Sequence, residues 1–326
     1  HNSTQFVKID EFESSMETIT CGIPQGSTLG PLLFLLYIND LPNSSEKLSF
    51  RIFADDTNIF FTGNNPKEVE STMNKELKLV LKYCAINKLS VNFKKTNYML
   101  ITSSKKKIHL NIHNIEPKSY IKYLGICLDE HLQPWEPQIQ HVNNKLAKNI
   151  GIINKLKHYL DLNMLKQLYY TLIYPYLNYG LASWGAAYKT RLKKICTKQN
   201  KCIRSMFFAN CREHVSPYYN LLGILKLENI YKLKVSLFTH RLKNDTSNTP
   251  DVLLNILTPV SEIHSYNTRY AANQNFFKPS VRTNYGTSAF KFSATKIWES
   301  VPLELKSIPY MLFKKRYKRL LLHTQD

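Results

Sequence analysis

The chain has 326 residues, 43% of them hydrophobic, and carries 44 Lys and Arg against 24 Asp and Glu, a formal net charge of +20. That length suggests two domains with room for a small third, the apolar fraction excludes wholesale disorder, and the charge predicts a polyanionic partner, nucleic acid ahead of an acidic membrane surface. No apolar run approaches the roughly eighteen residues of a bilayer crossing; the longest, Pro31 to Ile38, is less than half of that, so a soluble chain is expected.

The chain begins at His1 without Met, and the polar stretch that follows is unlike a signal peptide, so it reads as a piece of a longer protein. Strands are predicted at Phe6 to Ile9 and Glu17 to Cys21, leading into a Pro24-Gln25-Gly26 turn. A helix then starts with Pro31 in its first turn and ends before Pro42. Apolar on nearly every side, it is expected to be buried. "LSFRIFADDTNIFFTG" predicts a β-hairpin with Asp55 and Asp56 at its tip, and Pro66 to Asn87 predicts an amphipathic helix with Val69, Met73, Leu77, Val80, Leu81 and Cys84 on one face.

Short strands are predicted at Leu89 to Asn92, Asn97 to Thr102, Ile108 to Ile112 and Tyr123 to Leu128. The order up to that point is that of an α+β domain with a mainly antiparallel sheet. After Gln133-Pro134-Trp135-Glu136-Pro137 the pattern turns helical. Helices are expected at Ile139 to Tyr159 with Ile139, Val142, Leu146, Ile150 and Ile153 inward, at Asp161 to Tyr174 with Asp161 as N-cap, and at Tyr188 to Phe208, Pro217 to Leu225 and Asn229 to Lys243. A looser stretch rich in Asn, Ser, Thr and Pro runs from Asn244 to about Ser288.

Adjacent acids at a hairpin tip leave two readings open. In a strand, neighbouring side chains point to opposite faces, so Asp55 and Asp56 share a site only where a tight turn brings them round. Together they repel unless a hard cation such as Mg²⁺, also held by substrate phosphates, neutralises them. The other reading is a solvated turn built from ordinary turn residues.

"GIPQGSTLGPLLFLLYINDLP" followed by "FADD" closely resembles the reverse transcriptase of non-LTR retrotransposons, above all the jockey and CR1-like lineages. "LSVNFKKTNYML" and "KYLGICLDEHL" resemble the next palm motif and the primer-gripping hairpin, in the family's order, and "SWG" at 183–185 falls where such chains carry a similar element. The resemblance implies a partial palm over residues 1–132, a helical thumb over 133–188 and a basic, mostly helical C-terminal region over 189–326. It implies nucleotidyl transfer with two Mg²⁺ ions, Asp55 as a principal metal ligand and Asp56 as a supporting acid. Pro24, Gln25, Gly26 and Ser27 would lie against template and nucleotide, Lys95 against the triphosphate, and Tyr123, Leu124 and Gly125 against the primer end. The implied partners are an RNA template, a DNA primer or target and deoxynucleotides, in an intracellular ribonucleoprotein.

The family's palm carries another aspartate upstream of the Pro-Gln-Gly turn, and Asp10, Glu11, Glu13 and Glu17 do not sit in such a motif. The chain alone is therefore expected to hold an incomplete metal site and not to polymerise. The competing reading is a decayed or co-opted remnant that binds RNA or DNA without catalysis.

No acidic residue occurs between Leu162 and Arg212, while Lys189, Arg191, Lys193, Lys194, Lys198, Lys201 and Arg204 supply cations for a phosphate-tracking surface or a solvated face. Lys314, Lys315, Arg316, Lys318 and Arg319 form a second cluster. Trp135, Trp184 and Tyr188 are candidates for base stacking or for the core. The six cysteines are widely spread, as in reduced intracellular proteins, and the spacing of Cys196, Cys202, Cys211 and His214 matches no standard zinc finger.

Overall fold

The computed structural model describes residues 4–18, 26–102, 108–113, 115–131, 135–263, 266 and 268–325, and their elements fall into two units, residues 1–98 with 104–118 and residues 99–103 with 119–326. In the first unit, β1 (Thr4–Gln5) pairs antiparallel with β4 (Glu17–Thr18), and β2 (Lys8–Ile9) pairs with β3 (Phe12–Glu13) between them. Helix α1 (Gly30–Ile38) has Pro31 in its first turn, where a missing N–H costs nothing. A 3₁₀ turn at Leu41–Ser44 leads into the hairpin of β5 (Ser49–Phe53) and β6 (Asp56–Phe60). Helix α2 (Pro66–Ile86) starts at Asn65, whose side chain accepts from the Lys67 N–H at 3.0 Å. It buries Leu77, Val80 and Cys84, and Val80 and Cys84 pack with Ile38, Leu41, Leu48 and Phe50 in the core of this unit.

Three expectations fail here. Helix α1 is not buried: Leu32, Leu33, Leu35, Leu36 and Tyr37 are exposed, and only Ile38 is fully covered. The small core of the unit presents one contact side, so an all-apolar helix is covered on that side alone. Leu89–Asn92 and 108–112 form no strands among the described residues. The second segment is held instead by α2. The Asn74 amide donates to the Asn111 carbonyl at 2.7 Å and accepts from the His113 N–H at 2.9 Å, and Glu70 accepts from the Asn111 N–H at 3.1 Å. Side chains thus satisfy backbone groups that a ladder would otherwise pair, while Leu110 and Ile112 are buried. Of the next predicted strand only β7 (Asn97–Tyr98) forms, parallel to β8 (Glu116–Pro117).

The second unit begins with the hairpin of β9 (Tyr120–Tyr123) and β10 (Ile126–Asp129) and continues in helices. These are α3 (Glu136–Leu156), α4 (Leu162–Leu168), a π-helical turn at Tyr169–Ile173, α5 (Tyr174–Asn178), α6 (Leu181–Trp184), α7 (Lys189–Met206), α8 (Ser216–Leu222) and α9 (Leu227–Asn244). Ile139, Val142, Leu146, Ile150 and Ile153 of α3 are buried as their spacing predicts, and Asp161 accepts from the Met164 N–H at 2.7 Å as the expected N-cap.

Beyond α9 the looser stretch holds α10 (Asp251–Leu254), α11 (Arg269–Ala272) and α12 (Asn284–Ser288). Then α13 (Phe290–Glu299), α14 (Leu303–Lys306) and α15 (Tyr310–His323) bring Trp298, Phe313, Tyr317 and Leu321 onto the same core as α3, α7 and α9. The described residues thus combine helices with small, mostly antiparallel strand pairs. No described helix is long and apolar enough to cross a membrane.

Buried polar groups tie this core together. Gln199 of α7 donates to the Tyr169 hydroxyl and to the Leu225 carbonyl, both at 2.9 Å, and accepts from the Leu227 N–H at 2.9 Å. One amide therefore satisfies three partners across the π turn, α7 and the start of α9, which fixes their register.

Candidate active-site hairpin and nucleic-acid interface

The β5–β6 register pairs Phe53 with Asp56, which leaves Ala54 and Asp55 as a two-residue turn. Ala54 sits at φ +50°, a region that favours glycine because Cβ crowds the backbone there. The tight turn places Asp55 at the tip and Asp56 at the first position of β6, both exposed. Neither carboxylate forms an ion pair with a described residue. Apolar Phe50, Ile52 and Ile59 root the hairpin against α2. Two adjacent hard oxygen donors at a solvent-facing tip fit a cation that completes its shell with water or phosphate oxygens. Among the described residues no group of three or more His, Cys, Asp and Glu is arranged to hold a metal.

Pro24 and Gln25 lie outside the described residues. Gly26 is exposed at φ +90° with nothing within 4 Å of where a Cβ would be, and Ser27 follows it half-buried before α1. Lys95 is exposed in a turn in which its own N–H donates to the Asn92 carbonyl at 3.0 Å and the Thr96 hydroxyl donates to the same carbonyl at 2.9 Å.

In the second unit Leu124 (φ +44°) and Gly125 (φ +81°) form the two-residue turn between β9 and β10, with Tyr123 paired to Ile126. Two positive φ values match the right-handed twist of a hairpin. The turn rests on Tyr179: a Cβ on Gly125 would come 3.1 Å from that ring, and the Tyr179 hydroxyl donates to the Leu124 carbonyl. Gly180, at φ +60°, lies under Ile126. The hairpin is also held from α3, where buried Gln138 accepts from the Cys127 N–H at 2.9 Å. Tyr179 and Gln138 escaped the sequence reading because each acts through a tertiary contact from a helical segment to the hairpin, which no local pattern marks.

Helix α7 turns Ile195, Gln199, Cys202, Ile203 and Met206 inward and its cations outward. Lys189, Lys193 and Lys201 are exposed and Lys198 is half-buried. Lys198 and Lys201 line a shallow cleft with Ala147, Gly151, Asn154 and Ser205 between α7 and α3. The other three expected phosphate contacts have partners of their own. Glu136 binds Arg191 at 2.7 Å and Lys194 at 3.0 Å, while Arg204 donates to the Glu213 carbonyl at 2.8 Å. Trp184 is fully buried and Trp135 nearly so, which assigns them to the core rather than to base stacking, whereas Tyr188 is exposed. Cys84, Cys127, Cys196, Cys202 and Cys211 are free, and burial pushes the Cys202 thiol up to about 12.

Residues 3–128 match the family model for reverse transcriptase (RNA-dependent DNA polymerase). That segment contains the β5–β6 acids and the β9–β10 turn, and over it the chain is similar to the reverse-transcriptase family. Its relatives belong to the non-LTR, LINE-type retrotransposons. The chain is 27% identical over 214 residues to the RNA-directed DNA polymerase from mobile element jockey of Drosophila melanogaster, covering 62% of this chain and 23% of that protein. It is 26% identical over 228 residues to a probable RNA-directed DNA polymerase from transposon BS of the same species, covering 65% and 24%. It is 31% identical over 150 residues to a Pol polyprotein from a type-1 retrotransposable element R1 of Nasonia vitripennis, covering 43% and 36%. The chain thus spans about a quarter of the length of the first two relatives. No solved structure matches it significantly.

Proposed function

We propose that the chain is the later part of the polymerase of a non-LTR retrotransposon, with palm residues at 1–132, thumb helices at 133–188 and a nucleic-acid-binding C-terminal region at 189–326. The observation that carries this reading is the pair Asp55 and Asp56 on a tight, exposed hairpin turn inside the family-matched segment. The reaction is attack of a primer 3′-hydroxyl on the α-phosphate of a deoxynucleotide, with pyrophosphate leaving. Asp55 and Asp56 would hold Mg²⁺, which when bound stabilises charge on the attacking and leaving oxygens.

The chain's own residues contribute positioning and charge. Gly26 lets backbone approach the nucleotide and template closely, together with Pro24, Gln25 and Ser27. Lys95, exposed and on a turn braced by Asn92, neutralises triphosphate charge. The Tyr123-Leu124-Gly125 turn, seated on Tyr179, supports the primer end, and Lys189, Lys193, Lys198 and Lys201 follow the phosphate backbone. The enzyme acts inside the cell, in a ribonucleoprotein with its RNA template, in the nucleus, the cytoplasm or both.

Two cations about 3.5 to 4 Å apart need more shared ligands than two adjacent carboxylates provide. The 326-residue chain by itself is therefore expected not to extend a primer. The test uses a longer protein containing this segment with RNA template, DNA primer and Mg²⁺. Asp55→Ala is expected to abolish extension while leaving the melting temperature unchanged, since the carboxylate is exposed. Full activity in that variant would sink the assignment, and extension by the present chain alone would refute its incompleteness.

A further inference from the structure

The basic cluster on α15 gains partners that its sequence does not reveal. Helices α9 and α15 pack together, and their contacts set the register: the Asn229 amide donates to the Leu321 carbonyl at 3.1 Å, His240 stacks on Phe313 with centroids 4.4 Å apart, and the Arg241 guanidinium lies 4.4 Å over the Tyr310 ring. The helices therefore run antiparallel, and Lys234, midway along α9, comes level with Tyr317, between Lys314 and Lys318. Lys314 and Lys318 are one turn apart on α15, hence on one ridge. Lys166 of α4 lies near enough to Lys318 to act on its charge.

We propose that Lys166, Lys234, Arg241, Lys314 and Lys318 form a binding surface for the phosphate backbone of a nucleic-acid strand, built from α4, α9 and α15 and separate from the α7 surface.

None of the five is in an ion pair with a described residue. Their mutual repulsion registers on the two half-buried lysines. Burial and then Lys314 and Arg241 lower the Lys234 ammonium, while burial and then Lys166 and Lys314 lower that of Lys318. No carboxylate opposes these shifts. Five cations gathered from three helices without a counter-charge destabilise the fold by repulsion and are relieved by a polyanion. Nucleic acid fits better than an acidic membrane. A membrane-surface helix inserts an apolar face, and α15 has already committed Phe313, Tyr317 and Leu321 to the core.

The inference rests on the nucleic-acid-binding role proposed for residues 189–326 and is tested without polymerisation, on the full chain in EDTA and without nucleotides, using fluorescently labelled single-stranded RNA and an RNA–DNA duplex. The variant Lys234→Gln/Lys318→Gln is expected to weaken binding about tenfold and to flatten the slope of log affinity against log salt by about 1.5, the share of two phosphate contacts. Its melting temperature at low salt is expected to hold or rise, because repulsion has been removed. A control with equal charge loss, Lys75→Gln/Lys296→Gln, is expected to change binding less than twofold. The proposal is overturned if the first variant binds as tightly as wild type, if the control loses as much, or if only binding to phosphatidylserine vesicles falls. A lower melting temperature in the variant would assign these lysines to packing and would equally overturn it. Because no catalysis is read, failure here leaves the Asp55 assignment standing, and the reverse holds too.

Discussion

Gln138, 2% exposed on α3, accepts a hydrogen bond from the Cys127 N–H of β10 at 2.9 Å. That bond fixes the β9–β10 hairpin to the longest helix of the second unit through a side chain that water does not reach. Gln138→Ala leaves a buried N–H without an acceptor, a loss of about 1–3 kcal/mol. Urea unfolding is expected to show it as a lowered midpoint with an unchanged slope.

The same hairpin has a second anchor at its turn. Gly125→Ala meets both the positive φ of +81° and the Tyr179 ring 3.1 Å away, so a loss of roughly 1–2 kcal/mol is expected. Tyr179→Phe removes only the hydroxyl donor to Leu124 and should lower stability by about 0.5–1 kcal/mol, since the bond is solvent-accessible. Equal losses in the two variants would refute the seat described for the turn.

Ala54 carries strain at the tip of the β5–β6 hairpin with φ +50°. Ala54→Gly is expected to be neutral or to stabilise by up to about 1 kcal/mol, whereas a β-branched Val there should destabilise by about 1–2 kcal/mol. Thermal melts of the two variants order them directly, and a Val variant as stable as wild type would mean that the turn relaxes.

Glu136 neutralises Arg191 and Lys194 on the otherwise acid-free α7. Glu136→Gln frees both cations, so nucleic-acid binding is expected to tighten severalfold at low salt and its salt dependence to steepen by up to about 1.5. These pairs are partly exposed, so the change in stability is expected to stay under about 1 kcal/mol. Titration of labelled RNA at several salt concentrations would check it.

Lys306 is 1% exposed, donates to the Asn273 carbonyl at 3.0 Å and the Asn275 side chain at 2.7 Å, and lies 5.5 Å over Trp298. Burial, aided by nearby Lys243, pulls its ammonium down to about 8. The unfolded chain keeps that proton up to about 10.5, so between those values the unfolded state binds more protons and stability rises with pH. Relative to Lys306→Met, wild type is expected to gain up to about 2–3 kcal/mol between pH 7.5 and 10.5. A difference that stays flat across that window would contradict the account.

Much of this protein could be read from local order in the chain. Periodicity marked the inward faces of α2 and α3, because a helix repeats its contacts every 3.6 residues whatever lies opposite. The "FADD" stretch announced a hairpin with acids at its tip, because short β-rich runs around turn residues have few other ways to fold. Residues 108–112 misled for the opposite reason: their alternation suited a strand, but Glu70 and Asn74 on α2 took the backbone groups that a ladder needs. Helix α1 misled because an apolar pattern says that a surface wants cover, and says nothing of how much cover its own unit supplies.

By itself, the sequence determined the family resemblance, the position of the paired carboxylates, the basic run and most helices, since each rests on motifs or neighbours within a few residues. Only the tertiary structure decided that Tyr179 and Gln138 hold the β9–β10 turn, that Glu136 removes two cations from the α7 surface, and that Lys234 of α9 comes level with Lys314 and Lys318 of α15. Such contacts join residues that lie in different elements, 11 positions apart for Cys127 and Gln138 and 55 for Leu124 and Tyr179, and no local pattern encodes which of many chemically equivalent side chains will meet.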